Sequence, residues 1–419
     1  MSRLARLADP LRHRDFRLLW IGQTGSAVGS VFQSVALAWL VLDVTGSALA
    51  LSGALMAIAV PGMATTLIGG VLTDRVDPRR VMAWSDGVRA VTMCALAFVT
   101  ADGPSAMTTI YVLLAVCGAA GGVFGPAAAA LVPELVSPGA LQSANSLTQA
   151  SPQLAMIVGA PIAGALVASV GAVPAVLLNA VSFAASAAIV LRMGRTEPTR
   201  RRPTGSMLAA AREGASFVLE QRWLLTLLVV DAFLGLAAIG PLAVGLPLLA
   251  RQNPQLGASG LGLLLLGFGA GSLAGMIYVG TRPTPTRPGR HFCLLNLPQG
   301  LLLLAAATTP LPVAVGALGL LGALSGIAVV VYLSLIQRNV PDALMGRVMS
   351  LVGLFSFALV PLSQAVSGLV ADRVGAFGLF AAAATVMTLA SLAGLASRPL
   401  RHTASHYPTR RQEAVLTDH

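Results

Sequence analysis

Apolar residues fall in blocks of about 20, the length that spans a bilayer as a helix, separated by short polar breaks along nearly the whole chain. Twelve blocks can be counted, at 18–42, 47–72, 80–101, 107–131, 141–169, 173–191, 223–250, 259–280, 291–308, 312–336, 345–371 and 376–397. The breaks are turn chemistry: Thr45-Gly46-Ser47, Asp102-Gly103-Pro104, Ser137-Pro138-Gly139, Asn253-Pro254, Thr309-Pro310 and Pro341-Asp342. The longest break, Arg192 to Arg222, divides the blocks six and six. Its middle, Met207 to Leu219, has apolar residues at helical spacing and suits a helix lying along a membrane surface. The expected organisation is a six-helix bundle over 1–191, an Arg-rich linker over 192–222, a second six-helix bundle over 223–397 and a tail over 398–419.

Composition agrees. The chain is 56% hydrophobic and only 10% charged, with a mean hydropathy of +0.80; a soluble domain carries about 25% charge. An integral membrane protein is implied. The long runs exclude a barrel of short alternating strands, leaving an all-α membrane protein.

The net charge of +11 would suggest a nucleic-acid partner in a soluble protein. Here its placement sets orientation instead, and no nucleic acid is expected. All 27 basic residues are Arg. With the amino terminus inside, 24 lie in cytoplasmic segments, only Arg251 and Arg373 lie outside, and Arg89 is inside helix 3. Both termini are then cytoplasmic. The basic start, Arg3 to Arg17, reads as a tail before a retained helix rather than a cleavable signal. The all-Arg set, with abundant Ala, Gly and Val, points to a GC-rich genome.

The halves repeat weakly. Gly70, Arg80, Asp86 and Arg89 fall on Gly280, Arg290, Asn296 and Gln299 at one constant offset. At another, Val136, Ser146, Leu147, Gly164, Val170, Gly171 and Ala172 recur as Val340, Ser350, Leu351, Gly368, Val374, Gly375 and Ala376. Parallel six-helix repeats are a transporter architecture, with the substrate site between the halves near midplane.

The most charged turn is Gly70-Val-Leu-Thr-Asp74-Arg75-Val-Asp-Pro-Arg79-Arg80. Its Arg residues suit a positive-inside turn; its Gly and its acid suit a gate. The copy at Gly280–Arg290 keeps Arg but has Thr284 in place of the acid, so orientation does not require Asp74. An acid there can meet a helix amino terminus near Pro341-Asp342, an arrangement worth about 0.3–1 kcal/mol, and Arg347 is a further charge partner.

Three charges lie well inside predicted helices: Asp86, Arg89 and Asp231. Each costs about 2.5–3.5 kcal/mol at bilayer centre on insertion scales. Asp86 and Arg89 are i, i+3 neighbours, either a self-neutralising brace or a relay for proton or substrate. Asp231 has no basic neighbour in sequence. It is a proton-loading candidate or a carboxyl reaching the interface. Polar side chains available to line a cavity are Gln33, Asn145, Gln149, Gln153, Asn296, Gln299, Tyr332 and Gln364. They suit an amphiphilic or neutral-to-anionic solute better than a strongly cationic one.

The chain resembles the major facilitator superfamily over nearly its whole length. The Gly70…Asp74-Arg75…Arg79-Arg80 turn matches that superfamily's signature between helices 2 and 3, with Asp77-Pro78 in place of the usual following Gly. The stretches Phe124-Gly-Pro-Ala-Ala, Val132-Pro-Glu-Leu, Leu141-Gln-Ser-Ala-Asn145-Ser-Leu and Asp86-Gly-Val-Arg89 are similar to the branch holding enterobactin-type siderophore exporters and macrolide-type drug exporters. The resemblance implies that the Asp74 turn holds the cytoplasmic side shut in the outward-open form and that helix 7 lines the cavity. In helix 5, Gly159-Ala-Pro161-Ile-Ala-Gly164-Ala looks like the superfamily's antiporter signature, though Ala160 and Ala165 replace glycines. Bending and close packing explain the same residues. Helix 4 lacks the Arg that drug–proton antiporters of other branches place there, so the resemblance does not by itself supply their coupling route.

No enzyme is expected. The chain has no Lys, so it holds no nucleotide-binding Gly-Lys loop. No cofactor is implied. Cys94, Cys117 and Cys293 have no pairing or metal spacing, and His13, His291, His402, His406 and His419 lie in tails or at a helix edge. The sequence therefore predicts a monomeric secondary transporter of the bacterial inner membrane, in contact with lipids. It would export a small amphiphilic molecule, drug or siderophore-like, in exchange for protons by alternating access. An importer or lipid flippase of the same fold, or a non-transporting sensor, remains open.

Overall fold

The structure, a computed structural model, describes residues 9–73, 76–99, 107–194, 207–253, 255–282, 285–401 and 403. Among them every regular element is helical. The first half holds α1 (Arg14–Thr45), α2 (Ala48–Thr73), α3 (Pro78–Val99), α4 (Met107–Leu135), α5 (Leu141–Val170) and α6 (Ala172–Leu191). A linker helix (Met207–Glu220) leads to α7 (Arg222–Gln252), α8 (Gly257–Gly280), α9 (Pro288–Thr308) and α10 (Leu311–Asn339). The last helical stretch, Asp342–Ala396, has 55 residues. At 1.5 Å per residue it would be about 82 Å long, far more than a hydrocarbon core of about 30 Å. It is two spans. Gly375, at φ 75° and ψ 177°, leaves the helical region and separates α11 (342–374) from α12 (376–396). The protein is thus an all-α membrane protein, with twelve membrane-spanning helices among the described residues.

Local chemistry sets several boundaries. Gly46 closes α1 in the left-handed region at φ 65°, its N–H donating to Leu42 O at 2.9 Å. Asp77 and Pro78, the residues that replace the expected Gly, start α3. Pro78 opens the helix, where its missing N–H costs nothing. Asp77 Oδ1 accepts from Arg79 N at 3.0 Å. The same carboxylate binds the Arg79 guanidinium at 2.7 Å, and Arg79 Nη1 donates to Met193 O at 2.5 Å, tying this turn to the end of α6. In α9, Pro298 breaks the ladder, and Gln299 Nε2 donates to Leu295 O at 3.2 Å.

The sequence repeat is also structural. Gly171, between α5 and α6, has φ 87° and ψ 178°, nearly the values at Gly375 between α11 and α12. In the first half α1 lies on α5 and α6, α2 on α4, and α3 on α4 and α6; in the second, α7 lies on α11 and α12, α8 on α10, and α9 on α10 and α12. The equivalent pairs α2/α4 and α8/α10 use the same device. A Cβ on Gly118 would strike the Ile58 backbone of α2, and one on Gly271 would strike the Gly319 backbone of α10. Without a hydrophobic drive between helices in lipid, small residues that let backbones touch hold such pairs together.

The end of the molecule where α1 begins is called proximal here, the opposite end distal. Between the halves α5 meets α8 and α2 meets α11. At α5/α8, a Cβ on Gly164 would meet Ala258 O and the Gly262 backbone, and a Cβ on Gly262 would meet Ala160 O and Pro161 Cα. Gly159 sits instead against Val28 and Val31 of α1. At α2/α11, Gly368 lies against Ser52 and the Ala48 carbonyl. Arg251 Nε reaches Asp43 Oδ1 at 2.6 Å. These contacts between the halves are in the distal part of the bundle. At the proximal end, Arg347 of α11 pairs with Glu213 of the linker helix. Both partners are exposed, and such a pair contributes about 0–1 kcal/mol.

Candidate functional site

Three hollows line the inner faces of the two halves. The first half holds one of about 760 Å3, bounded by Gln23, Ser26, Phe124, Asn145 and Gln149, and most of one of about 510 Å3, bounded by Gln33, Leu55, Gly62 and Cys117 and by Phe357 of α11. They share Ser30, Arg89 and Gly121. The second half holds one of about 360 Å3, bounded by Asp231, Phe292, Asn296, Gln299 and Tyr332. Toward the proximal end the wall is open, with Gln142, Asn145, Ser146 and Gln149 of α5 exposed. Toward the distal end the glycine contacts of α5/α8 and α2/α11 close it. The hollows thus lie between helices that touch across the halves distally and an α5 face that is exposed proximally.

The charged residues lining these hollows are Arg89 and Asp231. Arg89, on α3, donates from Nη1 to Asp86 Oδ1 at 3.1 Å, and Asp86 is wholly buried. The guanidinium also lies 3.7 Å from the Phe183 ring centroid and 5.9 Å from that of Phe124. A cation desolvated against a ring gains about 2 kcal/mol. The charge is therefore held by its own bundle, at the junction of the two first-half hollows.

Asp231 contrasts with it. It lies nine residues into α7, about 14 Å from the helix start, inside the stretch that spans the membrane. Among the described residues it has no ion-pair partner, and it faces a hollow shared with Tyr332, whose hydroxyl also lacks a hydrogen-bond partner there. The Tyr332 ring sits against Phe292, centroids 5.7 Å apart. Below them runs a neutral chain: Asn296 Nδ2 donates to Phe292 O at 2.8 Å, Gln299 Nε2 to Asn296 Oδ1 at 3.0 Å, and Ser325 Oγ to Gln299 Oε1 at 2.9 Å. Asn296 and Gln299 thus form a neutral i, i+3 pair at the repeat position of the ionic pair Asp86–Arg89.

The structure brings most of the predicted polar residues to these hollows. Gln33 lines one while Asn179 Nδ2 donates to its Oε1 at 2.6 Å. Asn145 and Gln149 line another, and Asn296, Gln299 and Tyr332 the third. Gln364 is buried in α11 and borders none of the three, and neither does Gln153. Asp74 and Arg75 lie outside the described residues, as do His402, His406 and His419. Gly70 ends within α2, Arg80 is exposed at the start of α3, and Arg79 and Arg347 have the partners given above. Sequence reasoning missed Gln23, Ser26, Ser30 and Thr148, whose small or proximal positions read as ordinary helix polarity. It also missed the two rings around Arg89, which carry no polar signal.

Residues 5–416 match the family described as transmembrane secretion effectors. The chain is 30% identical over 393 residues to the multidrug efflux pump Tap of Mycolicibacterium fortuitum, covering 89% of this chain and 92% of that one. It is 25% identical over 380 residues to macrolide efflux protein A of Streptococcus pyogenes, covering 86% and 90%. The fold resembles that of a bacterial homologue of the iron transporter ferroportin in an inward-facing state, with a TM-score of 0.72 at 16% identity, covering 95% of this chain and all of that one.

Proposed function

This chain belongs to the transmembrane secretion effector family of the major facilitator superfamily, a transporter and not an enzyme, and from that premise we propose that it exports a small amphiphilic molecule across the bacterial inner membrane in exchange for protons. The observation that carries the reading is a carboxyl, Asp231, that lines a hollow on the inner face of the second half and has no ion-pair partner among the described residues. The names of the relatives, a multidrug pump and a macrolide efflux protein, favour export and a broad amphiphilic substrate class.

The Arg asymmetry supports a cytoplasmic proximal end. In this form substrate enters from the cytoplasm and lies between the polar wall of Asn145 and Gln149 and the aromatic wall of Phe292 and Tyr332. The halves then rock, the proximal end closes and the distal end opens. A proton from outside neutralises Asp231 and substrate leaves. On return the proton is released to the cytoplasm. Proximal closure is assigned to the turn from Gly70 through Asp74, Arg75 and Arg80, with Arg347 leaving Glu213 to join it. Arg79 anchors that turn to α6. Asp86 and Arg89 hold α3 rigid beside the cavity rather than carry the proton, because the two charges are paired with each other.

Everted and right-side-out membrane vesicles test the direction. With a panel of fluorescent amphiphilic dyes, energised everted vesicles carrying the protein are expected to accumulate at least one dye about fivefold or more over vesicles lacking it. A protonophore should abolish the difference. Accumulation confined to right-side-out vesicles would establish an importer instead.

A further inference from the structure

The amino terminus of α2 is capped by the other half of the protein. Ser47 caps its own helix, accepting from Ala50 N on Oγ at 3.1 Å and from Leu51 N on its carbonyl at 3.2 Å. The two remaining donors of the first turn point at α11. Ala48 N donates to Asp372 Oδ1 at 2.8 Å, Leu49 N to the same oxygen at 3.3 Å, and Ser47 Oγ to Asp372 Oδ2 at 3.0 Å. Every backbone donor of the first turn is therefore accounted for, two of them by a carboxylate 324 and 323 residues away. A helix amino terminus carries partial positive charge, so an anion there is favoured by both hydrogen bonds and the helix dipole.

One turn earlier on α11, Gly368 lets this happen. A Cβ at that position would strike the Ser52 side chain and come within 3.1 Å of Ala48 O, so any larger residue pushes α11 away from α2. Ser52 is wholly buried beneath it. The spacing is that of the most charged turn in the sequence: Gly368, Asp372, Arg373 and Val374 repeat the types and spacing of Gly70, Asp74, Arg75 and Val76. The string Gly368–Val374 ends α11, which runs antiparallel to α2 and packs on it.

We propose that Gly368 and Asp372 form the distal gate of the transport cycle, a clasp in which the carboxyl end of α11 caps the amino end of α2 and holds the outer side shut. This rests on the alternating-access reading above. The clasp is built to reopen. The capped donors lie at the end of the bundle, and water satisfies them once the halves part, so closing needs only a modest net gain. The neighbouring pair Asp43–Arg251 also bridges the halves, but both partners are about half exposed, and such a pair adds little.

The test uses the full-length protein in lipid nanodiscs, in a Cys-free background, with spin labels at Thr108 and Thr308, exposed positions at the distal ends of the two halves. Electron–electron distance distributions give the ratio of distal-open to distal-closed molecules, measured at pH 6 and pH 8 with and without a dye from the vesicle panel. Asp372→Ala is expected to raise that ratio roughly three- to tenfold, the range expected for loss of an amino-terminal cap. Asp372→Asn keeps an acceptor oxygen and should stay within about twofold of wild type, as should Arg251→Gln. Gly368→Ala, which leaves Asp372 in place, should raise the ratio as Asp372→Ala does. If wild type moves between two distances but Asp372→Ala and Gly368→Ala leave the ratio unchanged, the clasp is overturned and alternating access stands. One unchanging wild-type distance under all conditions would overturn both.

Discussion

Asp231→Asn is expected to reduce proton-driven export at least about 50-fold while leaving downhill exchange of substrate within about threefold of wild type. The asymmetry follows from what the substitution removes. Asparagine keeps the size and hydrogen-bonding outline of the side chain, so the wall shared with Tyr332, Phe292 and Asn296 retains its shape. It cannot load or release a proton. A carboxyl inside a membrane helix costs about 2.5–3.5 kcal/mol on insertion scales, and this one has no ion-pair partner among the described residues to offset that cost. Asp231→Glu, which restores the acid on a longer stem, should recover part of the driven flux. Driven and downhill fluxes are compared in one proteoliposome preparation, with and without an imposed pH gradient. An Asp231→Asn protein that still concentrates substrate against its gradient would remove Asp231 from the coupling step.

Arg89→Leu is expected to destabilise the folded protein by about 3–5 kcal/mol, because it strands the wholly buried Asp86 carboxylate without its partner. It also removes a cation held against Phe183. The double variant Asp86→Asn/Arg89→Leu should regain most of the loss, since no charge is then left alone. That rescue separates bracing from relay. If the pair only holds α3 in place, the double variant is stable and transports at a rate within about threefold of wild type. Thermal unfolding in detergent micelles and driven flux, read on the same three proteins, check both halves of the statement. A stable Arg89→Leu single variant would show that the pair does not brace the helix.

The helix count and the repeat were legible because each is written in local chemistry. Blocks of apolar residues end at Gly, Pro and Asp, and the positive-φ turns at Gly171 and Gly375 fall on matching positions of the two halves. The departure at Asp77-Pro78 was visible as a departure, and its reason is a helix cap. Which face of each helix meets the cavity was less legible. Helices apolar all round carry no polar stripe to mark an inner face, so Gln33 and Gln364 look alike in sequence. Both are buried, and only packing separates them, Gln33 bordering a hollow and Gln364 bordering none of the three. The distal contacts were not legible at all. Asp43, Arg251 and Asp372 stood in the sequence as ordinary turn charges, and their partners are hundreds of residues away.

Proton exchange for substrate is the central claim, and it is measured most directly in proteoliposomes loaded with a pH-sensitive dye. The protein is reconstituted with its proximal side outward, and a pre-screened amphiphilic dye or macrolide is added outside with no pH gradient imposed. The account predicts that substrate entering the lumen drives protons out, so lumenal pH rises. The rise should be absent with Asp231→Asn and erased by a protonophore. Substrate entry with no change in lumenal pH in the wild-type protein would contradict it.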